Sequence, residues 1–333
     1  MREKVYNDIE NLVDEVLEGV VCASKGRLRK LKQTTVIHRT ELPVGRVGIV
    51  VGGGSGHEHM FTHYVGQGMA SACAAGHLFA APSPDIVLAA TEKADTGKGV
   101  LHLRINYAGD IMNFDVASEL ATDLGISVES VNITDDIASA PADCAADRRG
   151  IAGAVLVVKA VGAAAETGAS LSILAEIARK ANEAVRSIGV AFGPGSLPGE
   201  TRPFFDIKHG EMEIGVGIHG EMGVRREKKT SADAIACLLV KHIVDELHLS
   251  RGDEVVTLVN DLGSMTMQEL AIINRKVFTC LNDLGIIVHR PFMGNFCSAQ
   301  DMAGLSLSIM KLDAELKRYI DAPATAIGWP GGI

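Results

Sequence analysis

Aromatic residues are scarce, at 4% of 333 residues. The core must therefore be filled by Ala, Val, Ile, Leu and Gly, which suits closely packed α/β layers. Positive charge is also short: 32 Lys and Arg stand against 41 Asp and Glu, for a net charge of −9. That balance excludes a broad nucleic-acid surface, which needs clustered cations. Two short basic stretches, 25–32 (KGRLRKLK) and 225–229 (RREKK), read as solvated faces or partner contacts. No C-x-x-C pair occurs among Cys22, Cys73, Cys144, Cys237, Cys280 and Cys297. They read as buried, reduced thiols of a cytosolic protein. No apolar run approaches the roughly 18 residues of a membrane span, and the opening MREKVYNDIENLVDEV is too polar for a secretory signal. A cytoplasmic protein without membrane or nucleic-acid partners is expected.

Nucleotide motifs are missing as well. Residues 52–57 (GGGSGH) lack the G-x-G-x-x-G fingerprint, the G-x-x-x-x-G-K-[ST] loop and the G-x-S-x-G elbow. A nicotinamide oxidoreductase falls on the same break.

What is present centres on residues 47–64, VGIVVGGGSGHEHMFTHY. The apolar run 47–51 predicts a buried parallel strand. The glycines predict a sharp turn, and a helix is expected from about Glu58. Strand, glycine turn and helix together build ligand sites at the carboxyl edge of a parallel sheet. Further strand-end loops follow at 106–110 (NYAGD) and 134–136 (TDD), so three loops are expected on one edge.

Length predicts two domains. The pattern predicts helices at 3–21, 86–94, 113–124, 152–166, 170–188, 232–247 and 267–284. Strands are expected at 99–105, 126–133, 205–207, 212–218, 254–260, 286–290 and 306–310. The Gly- and Pro-rich stretch 193–199 (GPGSLPG) marks the strongest composition break. The expected organisation is therefore an N-terminal α/β domain, 1–188, with a parallel or mixed sheet flanked by helices, and a smaller C-terminal α/β domain, 189–333.

Three groups could do proton or nucleophile work: His57, Asp110 and His219. Each sits beside a glycine (Gly56, Gly109, Gly220), which leaves a reactive side chain room for a ligand. His59 and His63 would share a helix face, but the order H-x-H-x-x-x-H does not match the H-E-x-x-H metal pattern. No metal site is assigned.

Seven motifs carry a resemblance: GGGSGHE (52–58), NYAGD (106–110), TDD (134–136) with DRRGIAG (147–153), KAVGAAAE (159–166), MEIGVGIHGE (212–221) and VNDLG (259–263). In that order, over almost the whole chain, they resemble the K subunit of dihydroxyacetone kinase, the ketose-binding half of that enzyme. The resemblance implies that His219 bonds the ketone carbon as a hemiaminal. It implies that Asp110 accepts the proton of the terminal hydroxyl, and that His57 hydrogen-bonds the substrate and assists. Gly54, Ser55 and Gly56 would line the pocket with backbone and hydroxyl groups. No cofactor is expected on this chain. Mg²⁺ and ADP or ATP would sit on a separate L-type subunit that donates the phosphoryl group, since the nucleotide-binding helical domain of ATP-dependent members has no counterpart here. A homodimer is also implied.

The motifs depart from the family at the pocket rim. Ile105 stands where the family has a lysine, and Ala108 replaces a threonine. His59 and Met222 replace prolines after H-E and H-G-E. Arg104, one residue before Ile105, should face the opposite way on a strand. The substrate is left open between dihydroxyacetone and a four- or five-carbon ketose. A ketose-binding sensor or coactivator is the alternative function, which retention of Asp110 weighs against.

Overall fold

A computed structural model describes residues 3–330. The chain forms two compact units that do not follow the expected cut at residue 188. One gathers Val5–Ile133, Val155–Ala181 and 318–330; the other gathers Lys4, Thr134–Ala154 and Asn182–Lys317. The Gly- and Pro-rich stretch lies inside the second unit. There it is held by hydrogen bonds from Ser196 N to Asp301 Oδ1 (2.8 Å) and from Phe204 N to Gly195 O (2.9 Å). Its composition marks a tight loop and not a linker.

The first unit runs α1 (Leu12–Ala23), β1 (Leu28–Lys30), β2 (Val36–Arg39), β3 (Gly48–Ser55), β4 (Ala72–Leu78), α2 (Pro84–Ala94), β5 (Val100–Ile105), α3 (Ala108–Asp123), β6 (Val128–Ile133), α4 (Ala154–Glu166) and α5 (Leu171–Ala184). Its sheet has the order β1-β2-β4-β3-β5-β6. β4, β3, β5 and β6 are parallel neighbours, and β1 and β2 form an antiparallel edge. β4 lies on one side of β3 and β5 on the other, so the strand order reverses at β3. The carboxyl edge at such a reversal is where open α/β sheets bind ligands.

β3 carries all of Gly52, Gly53 and Gly54 within the strand, so the expected turn begins only at Gly56. No helix follows. Residues 57–61 form turns, and a single 3₁₀ turn, Thr62–Tyr64, comes next. The glycines are there for packing. A side chain at Gly52 would meet Ala74 O at 2.6 Å and the Phe114 ring at 3.0 Å. One at Gly53 would collide with Phe61, and one at Gly54 would meet Ala80 N at 2.7 Å. On one face, Val36, Val50, Ala72, Ala74 and Val100 pack with Val87, Ala90, Phe114 and Ala117 of α2 and α3.

β4 was not expected, because ACAAGHL is poor in the β-branched residues that signal strands. Pairing with β2 and β3 on its two sides imposes the extended conformation.

His102 of β5 is fully buried, with its ring nitrogens facing Thr91 Oγ1 (2.9 Å) and Ser118 Oγ (3.2 Å). Burial, and then the Arg104 charge, push its pKa down from 6.5 to about 3. In the unfolded chain the ring takes a proton near 6.5; in the folded chain it does not until about 3. Between those values the unfolded state binds more protons, so this residue's contribution to stability is lost as pH falls. His102→Gln keeps a partner for Thr91 but cannot titrate. Its stability relative to the wild type should therefore improve below pH 6.5, by about 1.4 kcal/mol per unit. Urea unfolding at stepped pH values checks this.

The second unit runs β7 (Val185–Gly193), β8 (Glu211–Ile214), β9 (Arg225–Lys228), α6 (Ala232–Glu246), β10 (Glu254–Asp261), α7 (Met267–Asp283), β11 (Ile287–Gly294) and β12 (Ala303–Leu312); α8 (Ala314–Asp321) follows. Its sheet order is β11-β10-β12-β7-β8-β9, antiparallel except for the β10–β11 pair. α6 presents Ile235, Leu239 and Ile243, and α7 presents Leu270, Ile273, Val277 and Leu281, to Val190, Val255, Leu305 and Leu307. Ser231 caps α6, and Thr266 with Glu269 forms a reciprocal capping box on α7.

Three expectations for this unit fail. The helix expected to end at Ile188 stops at Ala184, and β7 starts without a loop. Residues 205–207 are not a strand, and the strand expected over 212–218 ends at Ile214. The basic stretch at 225–229 is the solvated face expected of it, with an edge strand, β9, whose charges suit an unpaired sheet edge. The cysteines differ too: only Cys73 and Cys297 are buried, while Cys22 and Cys144 are exposed. Among the described residues, no helix is long and apolar enough to cross a membrane.

Candidate active site

In the first unit, the carboxyl edge of the sheet holds His57 and Asp110. His57 is fully buried, and its ring stacks on Phe79 with centroids 4.4 Å apart and planes 7° from parallel. Phe79 N donates to Ser55 O (2.9 Å), and the Ser55 hydroxyl donates to Gly76 O (2.7 Å). The hydroxyl expected to line a pocket is thus bonded within the sheet. The Gly56 N–H donates to the Glu58 carboxylate (3.0 Å). Burial pushes the Glu58 carboxyl up, against the pull of its own amide and that of Gly56.

Asp110 lies in the first turn of α3, whose preceding residue is Tyr107. The expectation of a loop through residue 110 is corrected here, since the helix begins at Ala108. Asp110 is 6% exposed, and its carboxyl group sits at the positive end of a four-turn helix. The loop after β4 touches both parts of the edge. Phe79 stacks on His57, a side chain at Gly109 would meet Ala81 at 3.3 Å, and Asn113 Nδ2 donates to Pro82 O (2.8 Å).

Arg104 is committed elsewhere. Its guanidinium donates to Asn132 Oδ1 (2.6 Å), Ile111 O (2.9 Å) and Asp115 Oδ1 (2.7 Å). It does not substitute for the absent lysine, and Ile105 is 2% exposed. His59 and His63 meet edge to face, 4.8 Å between centroids. Among the described residues, no three His, Cys, Asp or Glu side chains gather as a cation site.

In the second unit, His219 lies on the loop between β8 and β9. Gly220, at φ +81°, turns the chain, and Gly220 N donates to Gly217 O (3.2 Å). The Glu213 carboxylate anchors the loop by accepting from Gly223 N (2.8 Å) and Arg226 Nη2 (2.5 Å). Glu221 Oε2 accepts the His219 amide (2.9 Å), and Oε1 faces His219 Nδ1 at 3.1 Å. Burial pushes the Glu221 carboxyl up, but the hydrogen bond and charge of His219, with the Arg149 charge, outweigh it and hold it at about 2. An ionised Glu221 can only accept, so the His219 Nδ1 carries a proton.

Behind this pair stands a second layer. Arg149 Nη1 lies 3.9 Å from Glu221, and Arg149 donates to Asp136 Oδ2 from Nη2 (2.7 Å) and Nε (3.1 Å). Burial pushes the Asp136 carboxyl up to about 6 despite the pull of Arg149. Asp135, fully buried, accepts from Ile151 N and Gly153 N, each at 2.9 Å. The TDD and DRRGIAG motifs therefore fold together to hold Arg149, and Arg149 backs Glu221. The sequence motifs contain Glu221, Arg149 and Asp136 but gave none of them a role, and Phe79 lies outside them. The signal for the first three was adjacent charge in stretches otherwise rich in Gly and Ala.

A side chain at Gly217 would collide with the Glu221 carboxylate and meet Arg149 Nη1 at 2.6 Å. Gly217→Ala is expected to destabilise the protein by about 1–3 kcal/mol through overpacking. It should also displace Glu221, so that the ¹⁵N shifts of His219 lose the signature of a fixed Nδ1–H tautomer.

The Dak1 domain family model matches residues 18–328. The chain is 39% identical over 323 residues to a PTS-dependent dihydroxyacetone kinase dihydroxyacetone-binding subunit, DhaK, of Listeria innocua, covering 96% of this chain and 97% of that one. It is 40% identical to an L-erythrulose kinase of Pectobacterium atrosepticum, covering 97% of this chain and 55% of that one. The solved structure of a dihydroxyacetone kinase operon co-activator, DhaQ, superposes with a TM-score of 0.90 at 32% identity, covering 97% of this chain and 99% of that one. With the family model matched over residues 18–328 and the fold shared at this level, the chain belongs to the Dak1 family, with the ketose-binding subunits of dihydroxyacetone-type kinases.

Proposed function

We propose that this chain holds a short-chain ketose covalently on His219 and presents it for phosphorylation. The observation that carries the proposal is the Glu221–His219 pair. A carboxylate held ionised fixes the proton on Nδ1 and leaves Nε2 as a neutral nucleophile. The Nε2 lone pair attacks the ketone carbon, and the C–O π pair moves to oxygen. The alkoxide takes a proton from solvent and Nδ1 releases one to solvent, with Glu221 still ionised, so one proton passes in net from nitrogen to oxygen and the neutral adduct retains every atom of the ketose. Asp110 then takes the proton of the terminal hydroxyl as its oxygen attacks phosphorus. Phe79, stacked on His57, fixes the ring that assists.

The phosphoryl donor in this reading is a separate L-type subunit carrying Mg²⁺ and ADP or ATP. The chain works as a homodimer in the cytoplasm. Relatives named for dihydroxyacetone and for L-erythrulose support a ketose of three or four carbons. With Ile105 in place of a lysine, one cationic contact to the sugar is lost, which favours a substrate less dependent on it.

A coactivator-like reading has its own support in the likeness to DhaQ and the absent lysine. Native mass spectrometry with C3 to C5 ketoses, followed by addition of an L-type subunit with ATP and Mg²⁺, separates the two. The kinase reading expects a mass gain equal to the whole ketose and then a sugar phosphate. An adduct with no turnover by any L-type partner leaves the coactivator reading standing.

A further inference from the structure

α6 and α7 pack side by side on the apolar face of the second unit's sheet. Cys237 of α6 and Cys280 of α7 face one another with their sulfur atoms 2.8 Å apart. Non-bonded heavy atoms rest at about 3.5–4.0 Å, so these sulfurs are already inside ordinary contact. A disulfide bond needs them at about 2.05 Å, a closing movement of under about 1 Å. Both thiols are half-buried, which leaves an approach for a small reagent; Cys73 and Cys297, by contrast, are sealed in the core.

We propose that Cys237 and Cys280 are an oxidisable pair that forms a reversible disulfide stapling α6 to α7 in the presence of a small-molecule disulfide oxidant. One cysteine thiolate attacks the oxidant, forming a mixed disulfide and releasing one small thiol. The second cysteine attacks its neighbour's sulfur, and the second small thiol leaves. The two protein thiols lose two protons and two electrons; the oxidant gains both as two thiols. Burial, then the hydrogen bond and charge of Cys237, push the Cys280 thiol up to about 11, with Lys276 pulling down and Asp283 pushing up. Few thiolates exist at neutral pH, so the pair stays reduced until an oxidant persists. The bond would close a span of 43 residues, restricting the unfolded chain and stabilising the fold.

The test uses the full chain with Cys22→Ser and Cys144→Ser, which removes the two exposed thiols. It is incubated with excess oxidised glutathione at about pH 9, where more thiolate is present than at neutral pH. The intact mass should fall by two hydrogens, and a digest should contain one peptide joining Cys237 to Cys280. Tm should rise by about 5 °C, and dithiothreitol should reverse all three changes. Cys237→Ser, or Cys237→Ala if the serine does not fold, should abolish the Tm rise and leave a glutathione adduct on Cys280. Persistent mixed adducts on both cysteines without loss of two hydrogens would overturn the proposal, as would a Tm rise that survives in the Cys237 variants.

Discussion

His219→Ala is expected to remove the ketose adduct entirely, while the fold survives. The side chain sits on a loop between two strands, and its ring is about one quarter exposed. Little apolar burial is therefore lost, and the surface-type cost is about 0.5 kcal/mol or less. The chemical cost is much larger. Without Nε2 the ketone has no covalent anchor, and its terminal hydroxyl must be held by hydrogen bonds alone. Losing that positioning is expected to lower kcat/KM by about 100-fold or more. Native mass spectrometry reads the adduct, and coupled assay with an L-type subunit reads the rate. A variant that still gains the full mass of the ketose would move the covalent role off His219.

Glu221→Gln sharpens the same point. The amide oxygen still accepts from Nδ1, so the ring stays oriented, but the negative charge that stabilises a developing positive ring is gone. Adduct formation should fall to a level between wild type and His219→Ala. Because Glu221 is held at about 2, the wild-type pair keeps its charge throughout the range where the protein would be assayed. The contribution of that ion is present above the ordinary carboxylate pKa and is lost only as pH falls toward 2.

Much of this was legible in the sequence for a physical reason. His57, Asp110 and His219 stand out as candidates because a reactive side chain beside glycine is an unusual pairing, and two of the three follow strands whose apolar runs are plain. The α/β layering was legible because α1, α5 and α7 carry strong helical periodicity and β3, β5 and β10 are apolar runs. What was hidden depended on neighbours. β4 is extended because β2 and β3 hold it so, against its own alanine-rich composition. β7 follows α5 without a break, and nothing in residues 182–188 signals the change of period. The glycines of β3 look like a ligand cradle from sequence, yet their space is taken by Ala74, Phe114, Phe61 and Ala80. The split of the units hides in the chain path, because two helices in the middle of the sequence return to the first sheet's unit. The support of His219 was hidden for the same reason. Arg149 and Asp136 are about 70–80 residues away in sequence, and only folding shows that Asp136 holds Arg149 and that Arg149 faces Glu221.

Asp110→Asn is the second large effect, and it should divide binding from chemistry. Asn is nearly isosteric with Asp and is tolerated in the first helical turn. Asn113 remains bonded to Pro82 O, so the start of α3 keeps its tie to the loop after β4. The fold and the His219 adduct should therefore persist, with the mass gain unchanged. An amide cannot take the hydroxyl proton, and general-base catalysis is worth about 10²–10⁴-fold. Phosphorylation should drop by that factor while KM for the ketose stays near the wild-type value. Such a split between kcat and KM is what a proton acceptor predicts and a binding contact does not. If Asp110→Asn instead lost the adduct, the carboxylate would be holding the ketose and not its proton. If the wild-type chain formed the adduct with no turnover for Asp110 to lose, the retained carboxylate would serve recognition, and the adduct would report on a ketose without consuming it.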